Sequence, residues 1–177
     1  MKKVDGYLKQ FDIQFSGLKL GLHEYEFDLG KMFFERFKIE DVNDGKVHVN
    51  FSLLKRENGL ELNFEFNGSL NSSCDRCLES LDISIAGSNE LLVKFGDEHN
   101  EENDELLVLA PEEYKINITP LLYEFLSLLV PLRKVHEEND CNEEIIARLH
   151  NTNTEEYEDN NNDNDTPSVW DKLKNLK

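Results

Sequence analysis

Cys74-Asp75-Arg76-Cys77 places two thiols at a spacing from which a tight knuckle can grip one metal ion. Such a pair fills half of a tetrahedron. The third cysteine of the chain, Cys141, follows closely on His136. Cys74, Cys77, His136 and Cys141 together would form a Cys₃His set suited to zinc, and it would use every thiol in the sequence. A competing assignment treats the thiols as small apolar fillers and the imidazole as a surface group. A redox pair fits less well, because thioredoxin-like motifs open a helix in a βαβ unit and the flanks here alternate like strands. Cys141 falls where a final helix is expected to begin, and a position in its first turn would favour the thiolate.

Arg76 lies between the paired cysteines, and Arg133-Lys134 stands just before His136. If the two stretches meet, these cations gather into a patch of phosphate size on an otherwise acidic body. The alternative is that Asp75, Glu79, Glu137 and Glu138 neutralise them as surface pairs worth ~0–1 kcal/mol each. Catalytic patterns are absent from the sequence: there is no Gly-rich phosphate loop, no H-E-x-x-H and no G-x-S-x-G elbow. His23, His48, His99 and His150 are scattered, and no enzymatic activity is expected.

The elements that must position these residues read mostly as strands. Leu18, Leu20 and Leu22 alternate, and Tyr25, Phe27 and Leu29 continue with the opposite parity, which predicts a bend or bulge at His23-Glu24. Lys31 to Phe37 fits a short helix or a strand equally. Val47, Val49, Phe51 and Leu53 pair with Leu60, Leu62, Phe64 and Phe66 across a hairpin whose turn is expected at Asn58-Gly59. Leu81 to Ile85 and Leu91 to Phe95 alternate on either side of an expected break at Gly87-Ser88-Asn89. Short connections between such strands imply an antiparallel meander.

Asp97 to Glu113 carries eight acids and no Lys or Arg around the apolar stretch Leu106 to Ala110. Thr119-Pro120 is expected to open a buried helix, Thr as cap and Pro at the first helical position, ending before Pro131. A second short helix is expected from near Asp140, with Ile145, Ile146 and Leu149 on one side. The fold class is therefore α+β: a twisted antiparallel sheet or partly closed barrel, with one buried helix and a short C-terminal helix.

The chain of 177 residues suits a single core with appendages. Residues 1–150 are expected to form the domain. Residues 151–167, mostly Asn, Asp, Glu and Thr, cannot bury enough apolar area to offset ~1–2 kcal/mol per residue of backbone ordering, and read as a disordered linker. Residues 168–177 then carry Trp170, Leu173 and Leu176 at near-helical spacing beside Lys172, a pattern expected of a short docking motif. A net charge of -18 repels phosphate backbones, so any RNA contact must be local or run through a basic partner. No apolar run reaches the ~18 residues of a membrane span, and Met1-Lys2-Lys3 leads to Asp5-Gly6 rather than an apolar signal core; a cytoplasmic protein with no membrane partner is expected.

Three separated pieces, taken together, resemble a known family. They are Cys74-Asp75-Arg76-Cys77-Leu78-Glu79, the run Tyr123 to Leu132 leading to His136 and Cys141, and the terminal Trp170-Asp171-Lys172-Leu173. In that order they are similar to the YceD family, or DUF177 domain, of bacterial proteins. The resemblance implies a non-catalytic role in accumulation, processing or stability of large-subunit (23S) ribosomal RNA. Members often carry further cysteines in the second half, where this chain has only Cys141. Two partners are compatible with the resemblance: rRNA or a pre-ribosomal particle, met through Arg76, Arg133, Lys134 and the tail residues Trp170, Lys172 and Leu173, or a basic large-subunit ribosomal protein for which the chain acts as an acidic chaperone.

Overall fold

The computed structural model of the chain describes residues 6–96, 106–137 and 140–153. Two compact units divide at Cys141/Asn142, and each is described by itself.

The first unit is built on three long strands whose apolar residues fall on one parity. Strand β1 (Asp12–Ile13) follows a 3-10 turn at Lys9–Phe11, β2 (Gly21–Leu29) precedes the short helix α1 (Lys31–Arg36), and β3 (Val42–Arg56), β4 (Gly59–Ser73) and β5 (Ser80–Phe95) form the body. Then come β6 (Leu106–Leu109), β7 (Ile116–Asn117) and helix α2 (Thr119–Leu128). The main sheet has the order β2-β3-β4-β5-β6, with β1 and β7 forming a separate pair. Neighbours are antiparallel except β5 and β6, which run parallel. The α+β class is as expected, but no barrel forms. The edges β2 and β6 do not hydrogen-bond each other, and the core face packs on helix α2, on α1 and on the β1–β7 pair.

Period-two alternation puts Val47, Val49, Phe51 and Leu53 of β3 and Leu60, Leu62, Phe64 and Phe66 of β4 on one face, all at most 2% exposed. Burying side chains of this size contributes ~1.5–3 kcal/mol each, which is why the register is held over the full strand length. Leu122 and Leu126 of α2 are fully buried against this face, and the Phe125 ring meets Phe64 edge-on with centroids 5.3 Å apart. The helix is buried on one side only, since Leu128 is 71% exposed. It begins one residue before the expected position: Ile118 is the cap, and the Asn117 side chain accepts from the Thr119 N–H.

Other local expectations shift for packing reasons. No bulge interrupts β2, whose register runs unbroken from Gly21↔Lys55 to Leu29↔Val47, so Leu20 and Leu22 stay exposed. The hairpin turn sits on Glu57-Asn58, because Gly59 is already paired with Arg56. Gly59 is needed for clearance rather than for a positive φ: a Cβ there would lie 2.2 Å from the Val93 carbonyl oxygen. Nor does β5 break at Gly87, where a Cβ would lie 2.4 Å from Leu129 Cδ2 at the end of α2. That glycine seats the helix. Lys31 to Arg36 is helical, with Phe33 and Phe34 both buried.

The described part of the second unit is helix α3 (Glu143–Asn153), capped by Asn142, whose Oδ1 accepts from the N–H groups of Glu144 and Ile145. It reaches three residues into the stretch read as linker. The rest of that linker and the terminal decapeptide lie outside the described residues, as do Asp97 to Glu105 of the acidic stretch.

Candidate metal centre

Strands β4 and β5 pair as far as Ser73↔Ser80, so Cys74 to Glu79 is the loop of a hairpin. The Cys74 N–H donates to the Glu79 carbonyl and the Leu78 N–H to the Cys74 carbonyl, each at 2.8 Å. Closing so tight a loop puts Leu78 at φ 63, the left-handed region that costs a non-glycine residue roughly 1–2 kcal/mol. The Arg76 N–H faces Cys74 Sγ at 3.4 Å.

The chain leaving α2 is pinned to this knuckle. The Asp75 N–H donates to the Lys134 carbonyl and the Lys134 N–H donates to Asp75 Oδ2, both at 2.6 Å. Lys134 Nζ lies 3.2 Å from Asp41 Oδ2 and 3.5 Å from Asp75 Oδ1, with the side chain only 7% exposed. Its pKa is raised, chiefly by the bond to Asp41, and that of Asp75 is lowered, chiefly by the Lys134 backbone N–H. Lys134, expected as a contact cation, therefore points inward and is neutralised where it stands. Residue type alone could not separate it from its neighbour Arg133, which is exposed.

The strap so placed delivers His136 and Cys141. His136 Nδ1 is 3.3 Å from Cys77 Sγ and 3.8 Å from Cys141 Sγ, and Cys74 Sγ is 3.9 Å from Cys141 Sγ. All four donor atoms lie within 4.8 Å of one another. A zinc tetrahedron with Zn–S of ~2.3 Å and Zn–N of ~2.0–2.1 Å has S···S edges of ~3.8 Å and S···N edges of ~3.5 Å. The 3.3, 3.8 and 3.9 Å separations fit such edges. His136 Nε2 lies 3.1 Å from the Ser80 carbonyl, which can only accept. In the neutral ring this places the proton on Nε2 and leaves the Nδ1 lone pair toward the sulfurs, the outer-shell arrangement usual for a ligating histidine.

The electrostatics favour the metal-binding thiolate at Cys74, whereas at His136 and Cys141 they favour the protonated forms that a metal would have to displace. Burial pushes the Cys74 thiol up, but hydrogen bonds from the Cys77, His136 and Arg76 backbone outweigh it and bring the pKa down to about 6. Burial also works against a charged His136, yet the Ser80 carbonyl and the Cys74 and Cys77 sulfurs raise its pKa. Cys141 is pushed up to about 11, first by burial and then by the neighbouring sulfurs. It precedes the cap of α3 rather than sitting in its first turn, so the expected dipole effect on this thiol does not arise. The three thiols are free and buried, and they stand apart from the apolar cluster of the sheet, which does not include them. The four side chains thus form a cluster that can hold one metal ion.

Arg76 and Arg133 have no ion-pair partner among the described residues, Leu78 is 76% exposed and Leu132 is wholly exposed. Neither Asp41 nor the Ser80 carbonyl could be found from residue type and spacing, one being far away along the chain and the other a backbone atom. His23 bonds the Lys19 carbonyl and His48 bonds Asp28 and Asn50, both on the surface. Side-chain placement at His150 and all of His99, Trp170, Lys172 and Leu173 lie outside the described residues. No described helix is long and apolar enough to cross a membrane.

Residues 62–177 match the family described as large ribosomal RNA subunit accumulation protein YceD. No curated protein and no solved structure matches the chain significantly. The match spans well over half of the sequence and includes the knuckle, α2 and the strap with His136 and Cys141, so the chain belongs to the YceD family, non-catalytic factors of large-subunit ribosomal RNA accumulation.

Proposed function

We propose that zinc held by Cys74, Cys77, His136 and Cys141 fixes the strap on the knuckle, and that Arg76 and Arg133 so presented contact large-subunit rRNA in a pre-ribosomal particle. What supports this reading is the convergence of the two stretches, with the exposed Arg133 and the half-buried Arg76 beside the cluster and Arg133 near enough to Asp75 to help lower its pKa. Four protein donors complete a tetrahedron and leave no position for a reacting water, so the metal's role is to hold the backbone. Guanidinium groups suit phosphate by their fork of donors and can stack on unpaired bases, while the exposed Leu78 and Leu132 offer apolar contact.

The test is binding of the zinc-loaded chain to large-subunit rRNA fragments over a range of salt. If both arginines neutralise phosphates, Arg76→Ala with Arg133→Ala lowers the slope of log K against log salt by about 1.5. An unchanged slope would remove the arginines from the interface. The second reading, a chaperone for a basic ribosomal protein, is favoured by the net charge of -18 and predicts binding to such a protein with no affinity for the fragments.

A further inference from the structure

On the face of the main sheet opposite the core, the first unit places no element of its own among the described residues, because α1, α2 and the β1–β7 pair all contribute to the core cluster. On it, register aligns Glu24, Ser52, Asn63 and Glu90 in one cross-strand row and Glu26, Asn50, Glu65 and Ser88 in the next. Glu24, Glu26, Glu65 and Glu90 have no ion pair among the described residues, whereas other acids of this face are occupied: Asp28 by His48 and Glu61 by Arg56. A groove of about 270 Å³ runs between the rows, lined by Glu24, Glu26, Asn50, Ser52, Asn63 and Glu65. Asn63 Oδ1 in its floor is shielded from solvent and accepts no hydrogen bond. A second space of about 600 Å³ shares Ser52 and Asn63 with this groove; it is lined by Leu22, Leu54 and Leu92 of the same face and also by Phe125 of α2.

We infer that this face is a docking surface for a Lys/Arg-rich polypeptide segment with interspersed apolar residues. Three features converge on that chemistry. The free carboxylates are of one sign, so a cationic occupant is favoured, while nucleic acid and a second copy of this acidic chain are repelled. Alternate residues of a strand stand ~6.8 Å apart, and so do same-side residues of an extended ligand, so Glu24 and Glu26 can meet successive basic side chains. Asn63 Oδ1 offers an acceptor to a Lys or Arg donor, and the leucines beside it give the apolar positions a place to bury. The surface lies about ten residues along β4 from Cys74, roughly 35 Å of strand, so it is separate from the knuckle and does not depend on the RNA reading.

The experiment titrates the zinc-loaded full chain with a short synthetic peptide of alternating lysine and valine, followed by amide chemical shifts and by calorimetry. Shifts are expected to concentrate at Glu24, Glu26, Asn63 and Glu65. Glu24→Gln with Glu26→Gln and Glu65→Gln should weaken binding about tenfold, since each removes one exposed ion pair with the peptide. Neutralising Glu40, Glu112 and Glu124, also exposed but away from the groove, should leave affinity within about twofold. Retained shift dispersion in both triple variants shows that the fold survives. Shifts spread over all acidic residues, equal weakening in the two triple variants, or the same shifts produced by an RNA oligonucleotide would each overturn the inference.

Discussion

Removing the metal should loosen this molecule without dissolving its sheet, and the size of the effect follows from where the ligands lie. A metal bridging Cys77 and His136 closes a loop across 59 positions of sequence. Cross-linking an unfolded chain over such a loop lowers its conformational entropy by about 4 kcal/mol at room temperature. If instead the unfolded chain releases zinc, mass action gives a similar figure, about 4 kcal/mol when free zinc exceeds the dissociation constant a thousandfold. For a domain of this size either route lowers the melting midpoint by about 10 °C. The apolar cluster around Phe51, Phe64 and Leu126 contains none of the ligands, so far-UV dichroism well below the midpoint should not change on chelation. Amides from Lys134 to Cys141 should lose exchange protection while those at Phe64 and Val49 keep theirs. A midpoint unmoved by chelator would show that the cluster contributes no metal-linked stability, and unfolding of the whole sheet would show that the core cannot stand alone.

Leu78→Gly should relieve the left-handed strain and stabilise by about 1 kcal/mol in thermal melts, while weakening particle binding if the exposed leucine is a contact. Gly87→Ala should destabilise by about 1–3 kcal/mol by crowding the tip of Leu129, and Leu129→Ala should restore part of that loss in a double-mutant cycle. Gly68→Ala should be worse, and beyond rescue by any side-chain change, because the new Cβ would lie 2.2 Å from the Lys46 carbonyl oxygen. Asp12, whose pKa is lowered chiefly by its hydrogen bond to Lys115, contributes stability that is complete above about pH 4 and is lost as pH falls through its depressed folded value; Asp12→Asn should flatten that acid limb in midpoints measured against pH.

The four side chains that converge at the knuckle were legible because the chemistry of sulfur and imidazole restricts which residues can share a metal, and the chain holds few of them. The alternation of β3 and β4 was equally open to reading, since a buried face demands period two over many residues. What pattern could not show was contact at a distance. Gly87-Ser88-Asn89 resembles a turn until Leu129 is seen to press on the glycine. Lys134 resembles its exposed neighbour Arg133 until Asp41, remote in sequence, is found beside its ammonium. The parallel pairing of β6 with β5 is a long-range placement, about which local propensity says nothing.

The most direct measurement is native mass spectrometry of the full chain purified without chelator, alongside Cys74→Ser and His136→Ala variants. The account predicts one zinc ion per chain, removed by chelator and greatly depleted in both variants. A chain that carries no metal when zinc is supplied, or variants that retain it in full, would contradict the claim that the knuckle and the strap are joined through a shared ion.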